Sequence, residues 1–243
     1  MARAAKKTAA PQAAPSAAQQ GVRDKIVDAL MALAAEQSFE KISISAIAER
    51  AGVTLADFRE NFPSKGAVLG AFNRRIDRIV LDGVSDDMRQ ETTKERLFDV
   101  LMRRFDALEP HRAAIGGIAQ WARRQPLAAA QLNRMAVNSM RFMLEAAGVE
   151  SEGAVGALKL QGLTLAWARM VNIWLNDDDP GLAATMADLD RTLRRGDMLV
   201  ARAEDVERLT APMRGLARGV VSAGVRLVVE KRAKAPEKGA SEA

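Results

Sequence analysis

The apolar residues of this chain recur at helical spacing, and residues 84–230 show no strand signal. Between residues 22 and 37, Val22, Ile26, Leu30 and Leu33 fall on one helical face. A similar stripe, which ends at Ile79, predicts a helix from Ser64 to about residue 82. Further helices are predicted over 93–109, 111–124, 127–147, 152–175 and 204–231. The pattern therefore predicts an all-α fold.

Two short helical patterns flank a glycine within residues 43–65. Ser43 is a favoured N-cap residue, and Ile44 and Ile47 begin the apolar stripe of the first helix. Gly52 stands where that helix should end, because glycine adopts the left-handed conformation without steric cost. Thr54 then caps a second short helix. Two helices joined by a turn of about three residues form a helix-turn-helix unit, whose second helix can enter a DNA major groove.

The second of these helices carries its own start and stop signals. Asp57 follows Thr54 by three positions and forms an imperfect capping box with it. Phe58 and Phe62 share one helical face, and Pro63 ends the run. Together with the helix over 22–37, these elements predict a three-helix unit near the N-terminus.

Composition excludes several classes of protein. The 243 residues include no cysteine and one histidine, His111, so thiolate sites and histidine-based metal sites are not expected. No nucleophile–base pair, metal-ligand spacing or phosphate-binding loop is apparent, so we expect neither an enzyme nor a cofactor. No uncharged apolar run approaches about 18 residues, and the first residues do not resemble a secretory signal. These observations predict a cytoplasmic protein.

The net charge of +5 and the pI near 9.8 are compatible with a nucleic-acid partner. Residues 22–75 hold eight basic and seven acidic side chains, so only +1 of the surplus lies there. Part of the remainder lies in the two tails. Residues 1–20 lack periodicity and predict a disordered basic arm, and residues 232–243 predict a disordered tail.

Residues 22–75 resemble the N-terminal domain of the tetracycline-repressor-like (TetR) family of bacterial regulators. The matching strings are IAERAGVT at 47–54 and FPSK at 62–65. The resemblance implies that the helix opening near Thr54 reads the major groove and that Lys65 contacts a phosphate. Ala56 replaces a glycine usual in the family, and Arg59 replaces a tyrosine that typically touches the DNA backbone. The predicted DNA-binding residues are Ser43, Thr54, Leu55, Asp57, Arg59, Asn61 and Lys65.

The same resemblance implies a helix-turn-helix DNA-binding domain over residues 21–82 and a larger helical ligand-binding and dimerisation domain over 83–231. It predicts a homodimer that binds a pseudo-palindromic operator in double-stranded DNA and responds to a small apolar effector. Aromatic and methionine side chains at helical spacing are either core or cavity lining. The predicted ligand-binding residues are Trp121, Met140, Trp167, Met170 and Trp174.

A second, shorter resemblance covers the segment from Trp167 to Asp197. The strings LNDDDP at 175–180 and TMADLDR at 185–191 are similar to lipid-binding accessory proteins of coenzyme Q biosynthesis, which share the TetR-like fold. Those proteins use a terminal amphipathic helix at membranes, which here corresponds to the predicted helix over 204–231. The alternative prediction is therefore an isoprenoid-lipid carrier, peripheral to membranes and without a DNA role. In either case the aspartates at 177–179 predict a capped turn, with Pro180 at the first position of the next helix.

Overall fold

The computed structural model describes residues 17–84 and 90–196, and every described element is helical. The helices are α1 (Ala17–Glu36), α2 (Ile44–Ala51), α3 (Leu55–Asn61), α4 (Lys65–Asp82), α5 (Thr93–Leu108), α6 (Arg112–Arg124), α7 (Pro126–Ala146), α8 (Gly153–Trp174) and α9 (183–196). Short 3₁₀ turns at Phe39–Lys41 and Glu109–His111 precede α2 and α6. The all-α prediction is confirmed for the described residues.

The first helix holds the N-terminal unit together and joins it to the rest of the fold. Helix α1 packs against α2, α3 and α4 and also against α6. Helix α4 contacts α5 and α7, so it belongs to both halves of the molecule. A single hydrophobic cluster extends from Ile26 in α1 to Leu193 in α9. Movement of α4 therefore affects both the helix-turn-helix unit and the larger bundle.

Three details differ from the sequence expectations. Helix α1 begins at Ala17, so residues 17–20 of the predicted arm are helical. Ile44 and Ile79 were predicted to lie in buried stripes, but their side chains are 40% and 53% exposed. Pro180 lies in the turn before α9 and not at its first position, because the helix begins at residue 183. The tail predictions for residues 1–16 and 232–243, and the helix predicted over 204–231, lie outside the described residues.

The connection between α8 and α9 is fixed by hydrogen bonds to carboxylates and carbonyls. Asp177 accepts bonds from the Thr185 amide (2.8 Å) and hydroxyl (2.7 Å), which lower the pKa of its carboxyl. Arg112 donates to the Trp174 carbonyl (2.7 Å) and the Asp177 carbonyl (3.1 Å), so it caps the end of α8. The predicted capping role of the aspartates is confirmed. Across 17–84 and 90–196, no cluster of three or more acidic or histidine side chains is arranged to hold a metal ion.

Candidate nucleic-acid interface and ligand cavity

The α2–turn–α3 unit is positioned by local caps. The Ser43 hydroxyl accepts a bond from the Ala46 amide (3.0 Å), and Gly52 has the left-handed φ of 65° that ends α2. At the start of α3 the Thr54 hydroxyl accepts from the Asp57 amide (3.0 Å), and the Asp57 carboxylate accepts from the Thr54 amide (3.0 Å). The capping box that the sequence suggested is therefore complete, and both helix starts are set by side chains within the unit.

The inner face of α3 is fixed by aromatic packing. Phe58 and Phe62 are each 2% exposed, and their ring centroids lie 6.2 Å apart. The Arg23 guanidinium lies 4.3 Å from the Phe62 ring centroid and donates to the Asn61 carbonyl at 2.7 Å. Helix α3 is thus held against α1 at its C-terminal end, which determines the face that it presents outward.

The outer face of α3 is open to solvent. Leu55 is 56% exposed, and Ala56, Arg59 and Glu60 are exposed beside or one turn after it. Within the described part of the chain, Arg59 has no hydrogen-bond or ion-pair partner, whereas Arg50 on α2 forms a bidentate pair with Glu36. The Arg59 guanidinium is therefore available to an external anion.

Two predicted base-contacting residues on α3 are directed to their own helix. The Asp57 carboxylate serves the cap, and the hydroxyl and amide of Thr54 lower the pKa of Asp57, so it stays ionised. The Asn61 amide donates to the Asp57 carbonyl at 2.8 Å and is half-buried. Sequence spacing placed both side chains near base edges, but local hydrogen bonding engages them in the helix itself.

Lys65 also has a different environment from the one that the resemblance implied. Its ammonium donates to the Phe39 carbonyl (2.6 Å) and the Ile42 carbonyl (2.9 Å) and lies 4.6 Å from the Phe39 ring centroid. Desolvation lowers the pKa of Lys65, with the Glu40 carboxylate acting in the opposite direction. Two of the three ammonium hydrogens thus bind backbone carbonyls, so in this structure Lys65 stabilises the turn before α2.

A cavity of about 570 Å³ lies among helices α4 to α8. Its lining is mainly apolar and includes Leu69 and Phe72 of α4, Ile118 of α6, Met135 of α7 and Trp167 of α8. A volume of this size is typical of a site for a small organic molecule. Among the described residues, the polar lining side chains are Asn73, Arg104, Arg123, Asn133, Thr164 and Asn172.

Of the predicted ligand-binding residues, only Trp167 lines this cavity. Met140, Met170 and Trp174 are fully buried core side chains with 0% exposure. Trp121 packs instead against Phe39 of the N-terminal unit, with the ring centroids 4.7 Å apart. These four residues do not line this cavity, and their role in ligand binding stays a prediction. Helical periodicity marks an inward face without separating core from cavity wall.

A buried polar cluster adjoins the cavity and was not found from sequence. Arg104 of α5 is 2% exposed and pairs with Asp77 of α4, and it donates to the Asn73 side-chain oxygen at 2.9 Å. Ser139 of α7 donates to Asp77 at 2.9 Å and accepts from Asn73 at 2.6 Å. Burial lowers the pKa of Arg104, and the Asp77 carboxylate opposes that shift. The cluster ties α4 to α5 and α7.

A sequence signal for Arg104 existed. Arg104 follows Val100 and Leu101 by four and three positions, so it falls within the apolar stripe of α5. Asp77 likewise precedes Val80 of α4 by three positions, so it falls on the same helical face. A charged side chain on an apolar helical face indicates a buried pair, since buried charges are rarely left without partners.

Comparison with known proteins finds a family model that matches the N-terminal unit. Residues 26–72 match the family model described as bacterial regulatory proteins, tetR family. No curated relative matches the chain in sequence. Across 17–84 and 90–196, no helix is both long enough and apolar enough to cross a membrane.

Solved structures with a similar fold include three transcriptional regulators. A TetR transcriptional regulator from Nitrosomonas europaea is 23% identical, with 72% of this chain and 98% of that chain covered and a TM-score of 0.59. A TetR regulator from Rhodococcus sp. RHA1 is 22% identical, with 74% and 97% covered and a TM-score of 0.54. A tetR-family regulator from Streptomyces coelicolor is 20% identical, with 79% and 97% covered and a TM-score of 0.50. The chain thus has the fold of these regulators, and its residues 26–72 match the family model of bacterial regulatory proteins, tetR family.

Proposed function

We propose that this chain is a ligand-responsive transcriptional regulator that binds a pseudo-palindromic DNA operator as a homodimer. The observation that carries the proposal is the exposed outer face of α3 in a domain that matches the tetR family. A helix held by its inner face and open on its outer face can enter a major groove. In the dimer, two α3 helices would be separated by about one DNA turn, roughly 34–36 Å, or a multiple of it.

The proposed DNA contacts are centred on Leu55 and Arg59. Leu55 opens α3 with its side chain exposed, where it can meet a thymine methyl group. Arg59 lies one turn later without a partner in the described chain, where it can pair with a phosphate. Ser43 and Thr54 stand at the first turns of α2 and α3, which favour anions. Asp57, Asn61 and Lys65 act in this proposal mainly by holding the unit in shape.

Ligand response is supported by the position of α4. Leu69 and Phe72 of this helix line the cavity, and α4 begins at Lys65, directly after the turn that ends α3. A molecule that fills the cavity therefore contacts the helix that carries the reading unit. If it binds one arrangement of α4 more tightly than another, it shifts the population between the DNA-bound and released states.

Dimer formation is supported by an exposed apolar face on α8. Leu158 and Leu165 are 58% and 69% exposed, and Gly162 lies between them on the same face. Apart from the adjacent residues and the backbone of α8 itself, no described atom lies within 4 Å of a Cβ added at Gly162, so a second helix has room to approach. Two leucines separated by seven positions suit helix–helix packing between subunits.

The dimer proposal is tested by light scattering on size-exclusion fractions. We expect the wild-type chain to have the mass of two subunits and Leu158→Arg to have the mass of one. Leu127→Arg is the matched control, because Leu127 is 87% exposed and lies at the start of α7. Equal masses for the two variants would remove the α8 face from the interface.

The DNA-binding proposal is tested by recovery of genomic fragments with the purified full-length chain. We expect enrichment of fragments that share one pseudo-palindromic sequence. Arg59→Ala should recover few fragments with this sequence. Arg124→Ala is the control, since it removes the same charge from the exposed end of α6, and it should recover as many fragments as wild type. Recovery without any shared sequence from the wild-type chain would contradict the proposal.

The second candidate function is an apolar-lipid carrier without a DNA role. It is favoured by Glu60, which is exposed beside Arg59 on the outer face of α3 and repels phosphates, together with the apolar cavity. Co-sedimentation of the full-length chain and a chain cut after residue 203 with anionic liposomes separates the candidates. Liposome binding that is lost on truncation, together with no operator recovery, would favour the carrier over the regulator.

A further inference from the structure

We infer that the cavity selects an apolar molecule that carries a neutral hydrogen-bond acceptor, such as a ketone or an ester, and that Arg104 recognises that acceptor. The inference rests on the proposed function in one respect, namely that the cavity takes an effector. It adds the chemical class of that effector and the residue that selects it.

The unsatisfied donor is the first observation. Arg104 lines the cavity and is 2% exposed, yet its Nε has no hydrogen-bond partner. Each of its other two nitrogens has a partner, since Nη1 donates to Asp77 and Nη2 donates to Asn73. A buried donor without a partner carries a desolvation cost, which a ligand oxygen in the cavity would relieve.

The charge balance around Arg104 determines which acceptor fits. Asp77 pairs with the guanidinium, so the buried cluster is neutral before any ligand binds. A carboxylate would add a second buried negative charge near Asp77 without a second buried cation. A carbonyl oxygen accepts the Nε hydrogen without that penalty. Arg123, the other cation that lines the cavity, is exposed and donates to Asn172 at 2.8 Å.

The shape of the lining determines the rest of the molecule. The Arg104 guanidinium lies 5.4 Å from the Trp167 ring centroid, and the lining beyond them is mostly aliphatic or aromatic. Thr164, the neighbouring polar group, already donates its hydroxyl hydrogen to the Leu160 carbonyl at 2.7 Å. The site therefore offers the Arg104 Nε donor to a ligand oxygen at its polar end and an apolar volume for a chain or ring.

The test uses three eight-carbon probes with the full-length protein. Octan-2-one and n-octane are measured by their depletion from the headspace above the protein solution, and octanoate is measured by equilibrium dialysis. Arg104→Lys keeps the positive charge beside Asp77 and removes the Nε donor. We expect this variant to bind octan-2-one about tenfold more weakly and n-octane within about twofold of wild type.

A second variant tests the charge balance independently of the first. Asp77→Asn leaves the guanidinium without its counter-charge, so octanoate affinity should rise about tenfold or more and overtake that of octan-2-one. In the wild-type protein octan-2-one should bind more tightly than octanoate. Val171→Trp, which narrows the cavity from α8, should weaken binding of every probe, whereas binding at a site elsewhere on the surface would be unchanged.

Three results would overturn the inference. They are an unchanged preference for octan-2-one in Arg104→Lys, tighter binding of octanoate than of octan-2-one by the wild-type protein, and no gain of octanoate binding in Asp77→Asn. The outcome is separate from that of the DNA experiment. Selective ketone binding without operator recovery would contradict the proposed regulator and support the inferred ligand class. Operator recovery without selective ketone binding would support the regulator and contradict the inferred ligand class.

Discussion

Replacement of Lys65 by methionine distinguishes a structural role from a DNA contact. Methionine keeps an unbranched apolar side chain and removes the ammonium, which donates to the Phe39 carbonyl at 2.6 Å and the Ile42 carbonyl at 2.9 Å. Both carbonyls belong to the segment that leads into α2. The substitution therefore removes the ammonium that satisfies them and places the entry to the helix-turn-helix unit.

The expected cost follows from the number and exposure of these bonds. A hydrogen bond to a charged group contributes about 1.5–3 kcal/mol net when it is well buried. Lys65 is only partly buried, so solvent screening reduces each contribution. We expect a total loss of about 2 kcal/mol in the free energy of unfolding, which for a chain of this size lowers Tm by about 4–8 °C.

Thermal unfolding followed by circular dichroism measures this loss. Lys41→Met is the matched control, since Lys41 is exposed and lies on the 3₁₀ turn that also contains Phe39. The Lys41→Met substitution should change the free energy of unfolding by less than about 0.5 kcal/mol. The structural role of Lys65 is contradicted if Lys65→Met unfolds at the wild-type temperature while DNA affinity falls and the salt dependence of that affinity becomes shallower. That outcome would restore the phosphate contact that the family resemblance implied.

Two further predictions concern a buried carboxylate, Asp77, and a half-buried one, Asp190. Asp77→Ala leaves the Arg104 guanidinium buried without its partner, so urea unfolding should show a loss of about 3–5 kcal/mol, and a loss under about 1 kcal/mol would contradict the buried pair. Bonds from Arg194 and Lys94 lower the pKa of Asp190 from 3.8 to about 2. Its contribution to stability is therefore complete above pH 3.8 and is lost as the pH falls through about 2. Asp190→Asn should be less stable than wild type at pH 6, and the urea midpoints of the two proteins should converge as the pH falls from 3.8 to about 2. A stability difference that is constant with pH would exclude the ion pairs as its cause.

The helix-turn-helix unit could be predicted from sequence because its signals are local. Ser43, Gly52 and Thr54 act within three or four positions of their own place in the chain, and the structure shows each in its predicted cap. The resemblance to the TetR family rests on the same short segment, which the family match at 26–72 includes. Caps and turns are determined by residues that are neighbours in sequence, so they can be predicted without knowledge of the tertiary fold.

The roles of Lys65 and the cavity residues could not be predicted in the same way. The partners of Lys65 lie 23 and 26 positions earlier, so its spacing from Thr54 carries no information about them. Trp121 and Trp167 look alike in a helical pattern, yet one packs on Phe39 and the other lines the cavity. Whether an inward side chain meets packed atoms or empty volume depends on how several helices meet, which one-dimensional periodicity does not record.

The central claim is that the outer face of α3 contacts duplex DNA, and the salt dependence of operator affinity tests it most directly. Wild type, Arg59→Ala and the control Arg124→Ala are titrated with the recovered operator between 50 and 200 mM salt. One phosphate contact from each of two subunits predicts that the slope of log K against log salt becomes shallower by about 1.8 in Arg59→Ala and is unchanged in Arg124→Ala. An unchanged slope for Arg59→Ala, or an equal change for both variants, would contradict the placement of α3 on the duplex.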